Sequence, residues 1–267
     1  MSAKKQRLLT PGPTQVPDEV LRELACPIIH HRTDQFRSIL AEVGELLQRV
    51  FRTEQPVLTL SGSGTTAFEA AQISLVKPGS KVITVASGKF GERWQDVYDA
   101  YGDLLSVRQI RINLPWGDAV QPERLGQALA ENPDVSVVVV VHSETSTATA
   151  CDLQAIADQV RAFGQDALLL VDGITSVGAL PIEMDAWGVD VLVTGSQKAL
   201  MAPPGLGYVA LGERAVARLA EIKPRGYFLD LRKWLESWRE NDVPFTPPVN
   251  LIRGQRIALQ MMLDEGM

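Results

Sequence analysis

Lys198 is the only Lys or Arg between Val171 and Gly212. Its neighbours are Gly195, Ser196, Gln197, Ala199, Leu200, Met201 and Ala202, then Pro203-Pro204-Gly205. A solvated lysine normally stands among polar residues, whereas this one stands in a small, apolar, turn-rich stretch just after a run of valines and leucines. An apolar setting lowers the pKa of an amine. A neutral amine is what attacks a carbonyl to form an imine. Taken alone, the residue is better explained as a lysine that snorkels from a loop to water.

Three other groups stand beside it in the argument. Asp172 ends the run Ala167-Leu168-Leu169-Leu170-Val171. In open α/β sheets ligands bind outside the carboxyl ends of the strands. An acid there can pair with a protonated ring nitrogen; it can also serve only as an N-cap or Asx turn. Ser61-Gly62-Ser63-Gly64-Thr65-Thr66 lies between a strand and a helix. Free amides at such a helix start favour a phosphate, although a Gly/Ser turn needs no ligand. It is neither a Walker A nor a G-x-G-x-x-G sequence. His142-Ser143-Glu144-Thr145-Ser146-Thr147 follows an almost pure Val strand. Its hydroxyls could meet a phenolate oxygen or a substrate, or simply form a turn, and His142 reads as structural. The four have an order of phosphate loop, hydroxyl cluster, acid and lysine, each at a strand end. That order fits one cofactor held across one sheet edge.

The elements that must position them alternate. Strands are expected at 57–60, 82–86, 107–112, 135–141, 167–171, 189–193 and 208–211. Helices are expected at 65–76, 90–101, 122–131 and 152–163 between strands, and at 213–221, 230–239 and from 250 onward after them. Asp18 is expected to cap a short helix through Ala25, and 35–51 carries apolar residues at helical spacing. Alternation of this kind implies an α/β fold with a mostly parallel sheet and helices on both faces. The link from Val193 to Tyr208 is too short and too rich in Pro and Gly for a crossover helix. The seventh strand is therefore expected to run antiparallel to its predecessor.

The chain has 267 residues, 45% hydrophobic and 22% charged, with a formal net charge of -6. This is a globular composition, and the charge points away from nucleic acid and acidic membranes as partners. Two cysteines, Cys26 and Cys151, are too few for a disulfide framework. His30 and His31 have no evident third ligand, so no metal site is expected. The N-terminus lacks the apolar core of a signal peptide, and the longest apolar run, Val135 to Val141, is too short to cross a bilayer. A cytoplasmic location is expected.

The sequence resembles the class V aminotransferases, within them the serine–pyruvate and alanine–glyoxylate group. The matching stretches are LLTPGPTQVP (8–17), HHRTDQF (30–36), SGSGTTAFEAA (61–71), SGKFGERW (87–94), HSETSTA (142–148), the span 168–211 that includes VTGSQKALMAPPG, and PFTPPVNL (244–251). The resemblance implies the large domain of the fold type I transferases that depend on pyridoxal 5'-phosphate. Lys198 would join that cofactor as an imine and shuttle the substrate proton. Asp172 would pair with the pyridine nitrogen, and Phe90 would stack on the ring. Ser63, Gly64 and Thr65 would hold the phosphate, with Gln197 beside it. Thr145 would contact the ring oxygen or its surroundings. Thr246 would reach the phosphate of a neighbouring subunit, which implies a homodimer with its active site at the interface.

The implied organisation is an extended segment at 1–20, a cofactor-binding large domain at 21–249, and at 250–267 the start of a linker helix. The family's C-terminal small domain, which carries the Arg for the substrate carboxylate, lies outside the 267 residues. The chain is therefore expected to be a fragment or a shortened homologue. The implied reaction moves an amino group from alanine or serine to glyoxylate or pyruvate. The alternatives are a lyase or desulfurase of the same fold, or a cofactor-binding homologue without turnover. A nicotinamide-binding Rossmann protein fits poorly, because no G-x-G-x-x-G opens the first strand–helix turn.

Overall fold

The computed structural model describes residues 7–164, 166–223 and 225–266. Seven strands form one sheet: β1 (Val57–Gly62), β2 (Lys81–Ala86), β3 (Arg108–Asn113), β4 (Val135–Val141), β7 (Leu168–Asp172), β8 (Val191–Gly195) and β9 (Gly205–Leu211). Their order across the sheet is β1-β9-β8-β7-β4-β2-β3. A separate two-stranded ribbon joins β5 (Ser143–Glu144) to β6 (Thr149–Ala150). All seven expected sheet strands are present.

Strand β9 pairs antiparallel with both β1 and β8, and every other pairing in the sheet is parallel. The short, Pro- and Gly-rich link after β8 has this consequence. Nine residues cannot carry a crossover, so the chain folds straight back.

Every residue of β7 and β8 is buried, so both faces of the sheet centre are covered. Helix α3 (Gly64–Leu75) packs on β1, β8 and β9, and α4 (Lys89–Ala100) packs on β2, β3 and β4. Helices α6 (Pro122–Glu131) and α7 (Leu153–Phe163) pack on each other, and α7 touches β7. Helix α2 (Asp34–Phe51) pairs with α11 (Val249–Glu265), which also covers α1 (Asp18–Leu24). Helices α9 (Glu213–Glu221) and α10 (Leu231–Arg239) lie against α3. Two single-turn helices, α5 (Gly102–Leu105) and α8 (Met184–Trp187), were not expected from periodicity. Four residues are too few to display a 3.6-residue repeat.

The caps explain several boundaries. The Phe36 N–H donates to Thr33 Oγ1 at the start of α2, and the Ala155 N–H donates to Asp152 Oδ1 at the start of α7. Asp18 is not an N-cap, contrary to expectation. Pro17 holds the cap position with φ -60° and ψ 150°, and Asp18 is the first helical residue. There its carboxylate favours the helix dipole instead.

Candidate active site

The carboxyl ends of β1, β4, β7 and β8 open on one edge of the sheet, where α3 and α4 begin. Asp172 is the last residue of β7 and is 3% exposed. The Ile174 N–H donates to its Oδ1 at 2.9 Å, and the Trp94 indole Nε1–H donates to Oδ2 at 3.0 Å. Burial pushes this carboxyl up to about 6, against the pull of those two donors. Lys198 follows β8 by three residues and is half-buried. Burial lowers its pKa below the ordinary lysine value, and the nearby Asp172 works in the opposite direction.

The loop that carries Lys198 is tied down from within. Ser196 is fully buried; its hydroxyl donates to Pro203 O at 2.6 Å and accepts from the Leu206 N–H at 3.3 Å. The Met201 N–H donates to Lys198 O at 3.0 Å.

Gly64 is buried at the first turn of α3, and the preceding Ser63 N–H donates to Thr66 Oγ1 at 3.1 Å. Gly195 keeps a space open between β8 and this helix start. A Cβ there would stand 3.1 Å from the Gly64 nitrogen and 2.8 Å from Gln197 Oε1. That Gln197 oxygen is buried and has no hydrogen-bond partner. Turning the amide over would present its NH2 group to an anion at the helix start. A helix N-terminus, a bare glycine and an unsatisfied buried amide together make a cradle that fits a phosphate. The residues present therefore fit pyridoxal phosphate. Ser63 and Thr65 flank the cradle and are half-buried.

Phe90 lies half-buried in the first turn of α4, with the Arg93 guanidinium 4.9 Å from its ring centroid. Its position is set by a residue whose role the sequence did not reveal. Glu144, 1% exposed, accepts the Phe90 and Gly91 N–H groups on Oε2, both at 3.0 Å. Its Oε1 accepts the Ser146 N–H and hydroxyl. The carboxylate thus caps α4 from a distant strand end and satisfies amides that the helix itself leaves open. Glu144→Ala is expected to cost about 3 kcal/mol of unfolding free energy, because buried N–H groups lose a charged acceptor. Urea unfolding measures it, and a loss below about 1 kcal/mol would mean that water replaces the carboxylate.

Thr145 sits beside this cluster, its hydroxyl donating to Thr175 Oγ1 at 3.0 Å, while Thr175 donates to Ser143 O. His142 is buried; its N–H donates to Asp172 O, and burial pushes its imidazole down to about 4. That is the environment of a neutral, structural histidine.

Thr246 is not brought to this edge. It is exposed in the Pro-rich segment, where the adjoining Phe245 packs on Tyr227, Phe228 and Trp234. Trp94 breaks no local pattern in the sequence, and its indole is one of the two groups that orient Asp172. Among the described residues no group of three or more His, Cys, Asp or Glu is placed to hold a metal.

A buried acid, a lysine of lowered basicity and an anion cradle at the carboxyl edge of a mostly parallel sheet define an α/β enzyme of the pyridoxal phosphate type. The Aminotransferase class-V family model matches residues 8–267, and the chain belongs to that family. It is 42% identical over 265 residues to the soluble hydrogenase 42 kDa subunit of Anabaena cylindrica, covering 98% of this chain and 68% of that protein. It is 34% identical to the L-aspartate–glyoxylate aminotransferase of Paracoccus denitrificans, covering 97% of this chain and 65% of that one. The crystal structure of an alanine–glyoxylate aminotransferase from Nostoc sp. superposes with a TM-score of 0.91 at 34% identity, covering all of this chain and 70% of that one. The protein is a transaminase.

Proposed function

We propose that the chain moves an amino group from a small amino acid, alanine or serine, to a 2-oxo acid, glyoxylate or pyruvate, using pyridoxal 5'-phosphate at Lys198. The observation that carries this reading is the pairing of a half-buried lysine, lowered in pKa, with a buried Asp172 oriented by two N–H donors. Relatives that act on glyoxylate support the acceptor.

The bound cofactor would supply an electron sink for negative charge at the substrate Cα. The side chains supply the rest. Lys198 Nζ, uncharged in a larger fraction than an exposed lysine, takes and returns the substrate Cα proton. The Asp172 carboxylate would pair with the protonated ring nitrogen and keep its positive charge in place. Ser63, Gly64 and Thr65, with the Gln197 amide, would hold the phosphate. Phe90 would cover the ring, and Glu144 fixes Phe90 through its backbone N–H. Thr145 would contact the ring oxygen or its surroundings.

Thr246 would act on the phosphate of a second copy, in a homodimer with the site at its interface. Its exposure leaves it free for that contact. Residues 21–249 would form the cofactor-binding large domain, with 250–267 leading away from it. A cytoplasmic location accords with this chemistry; no helix among the described residues is long and apolar enough to cross a membrane.

Neither thiol of these residues is the mobile, ionisable cysteine that a desulfurase needs. The Cys151 thiol donates to Val141 O at 3.7 Å, and burial pushes it up to about 12. The Cys26 thiol donates to Arg22 O within the α1 turn.

The test is a single half-reaction with chain loaded with cofactor. Alanine without an acceptor is expected to release about one pyruvate per chain, followed by steady turnover when glyoxylate is added. Pyruvate and free ammonia from serine would mark a lyase. Bound cofactor with no 2-oxo acid from any donor would overturn amino transfer.

A further inference from the structure

The Pro-rich entry segment does not simply lead into α1. It crosses the backbone of Lys198 and is fastened there. The Thr14 N–H donates to Gln197 O at 3.0 Å, and the Thr14 hydroxyl donates to Lys198 O at 2.8 Å. The Thr10 hydroxyl donates to Pro13 O at 3.0 Å, which closes the segment on itself. Gly12 stands between these anchors. A Cβ on Gly12 would lie 2.4 Å from both Lys198 Nζ and Lys198 Cδ, and 2.7 Å from Cε. No carbon can occupy that position while the lysine stays where it is. The atoms in the way belong to the end of a flexible side chain, so the amine can give way, while the φ of 158° at Gly12 adds backbone strain in the strap for any residue with a Cβ.

We propose that the strap of residues 10–14 positions the amine of Lys198, with Gly12 as the residue whose bare backbone sets the place of Nζ. Thr14 holds the strap down, and Gly12 forms the wall along the lysine side chain. The strap also keeps water from one side of the amine. It contributes no charge of its own, being Thr-Pro-Gly-Pro-Thr; the charged group that acts on Lys198 is Asp172, across the site at the end of β7. The positioning role rests on the reading of Lys198 given above.

The test uses the full chain and two substitutions, Gly12→Ala and Thr14→Val. Each protein is mixed with pyridoxal 5'-phosphate over a range of pH and quenched with borohydride. The lysine amine and the aldehyde condense with loss of one water, and hydride reduces the resulting C=N bond to a stable secondary amine. Mass spectrometry then locates and times the adduct, and the thermal midpoint of each cofactor-free protein is recorded.

Gly12→Ala is expected to slow attachment at Lys198 about tenfold, since misplacing a reacting atom by an ångström costs up to about a hundredfold. Thr14→Val is expected to raise the pH of half-maximal attachment. A lysine with more water around it moves back toward its ordinary pKa, and less of it is neutral at a given pH. Wild-type rate and wild-type pH midpoint in both variants would overturn the positioning role. So would a lowered thermal midpoint with unchanged attachment per folded chain. If Gly12→Ala does not fold, the pH midpoint of Thr14→Val decides. Failure of the wild-type chain to form any adduct at Lys198 would instead overturn the cofactor assignment, and the strap's role with it.

Discussion

Replacing Asp172 by Asn is expected to stabilise the cofactor-free chain at pH 7.5 while lowering amino transfer on the order of a hundredfold or more. Burial raises this carboxyl from 3.8 to about 6. Two pKa units correspond to about 3 kcal/mol of preference for the neutral form. The sign follows from proton linkage. Between about pH 4 and 6 the folded chain binds more protons than the unfolded one, so stability falls as pH rises through that window. Above it the full cost of a buried carboxylate is present.

Asparagine removes that charge and still accepts the Ile174 N–H. It then turns an NH2 toward the Trp94 indole N–H, which returns about 1 kcal/mol of the gain. A net stabilisation of about 2 kcal/mol is therefore expected. Urea unfolding at pH 5, 6 and 7.5 measures it. Part of the pH slope will persist in the variant, because burial also raises Asp190 to about 6, against its Leu169 N–H donor and the charges of Arg214 and Arg218. Lower stability of Asp172→Asn than wild type at pH 7.5 would refute the argument. The opposed effects have one cause. A carboxylate whose burial outweighs its two N–H donors and the charge of Arg93 destabilises the empty site, and the same carboxylate is what a protonated ring nitrogen requires.

The parts of this molecule that could be read in sequence are those with local causes. The valines of β4 and the leucines of β7 mark buried strands because strands of a covered parallel sheet need no polar face. The antiparallel sense of β9 follows from the length of one link. Lys198, Asp172 and Gly64 stand out because each is an odd residue at a strand end, and the structure does bring them to one edge. What stayed hidden depends on contacts between residues far apart in the chain. The Trp94–Asp172 hydrogen bond spans 78 positions and the Glu144–Phe90 bond 54. Neither partner breaks any local pattern: Trp94 reads as an apolar helix residue and Glu144 as part of a turn. Gly12 reads as a turn former among prolines until Lys198 is placed beside it. Asp18 departs from its expected cap position for a local reason. The fixed φ of Pro17 suits the cap position, and this constraint outweighed the aspartate's preference for it.

Lys198→Ala is expected to abolish amino transfer, by at least about a thousandfold, while leaving the fold and the anion cradle intact. A positioned proton-transfer group alone is worth about 10² to 10⁴ in rate, and the substitution also removes the amine that would anchor the cofactor. The lysine is half-buried and donates no described hydrogen bond through Nζ, so its loss costs little folding energy; a change under about 1 kcal/mol is expected. Asp172, Gly64 and Gln197 keep their places, since the loop is held by Ser196 and the Lys198 backbone rather than by its side chain. The variant should therefore still bind pyridoxal phosphate reversibly, detected as a rise in thermal midpoint with cofactor concentration, and yield no borohydride-trapped adduct at position 198. A small primary amine added to the solution can occupy the vacated space and act as the missing base. Recovered activity should rise with amine concentration and with the neutral fraction of that amine as pH increases. If transfer persists in the variant without added amine, the proton is moved by another group, and the assignment of Lys198 as the base fails. If the variant unfolds, the Lys198 side chain holds the loop together, and Ser196 with the backbone bonds does not suffice.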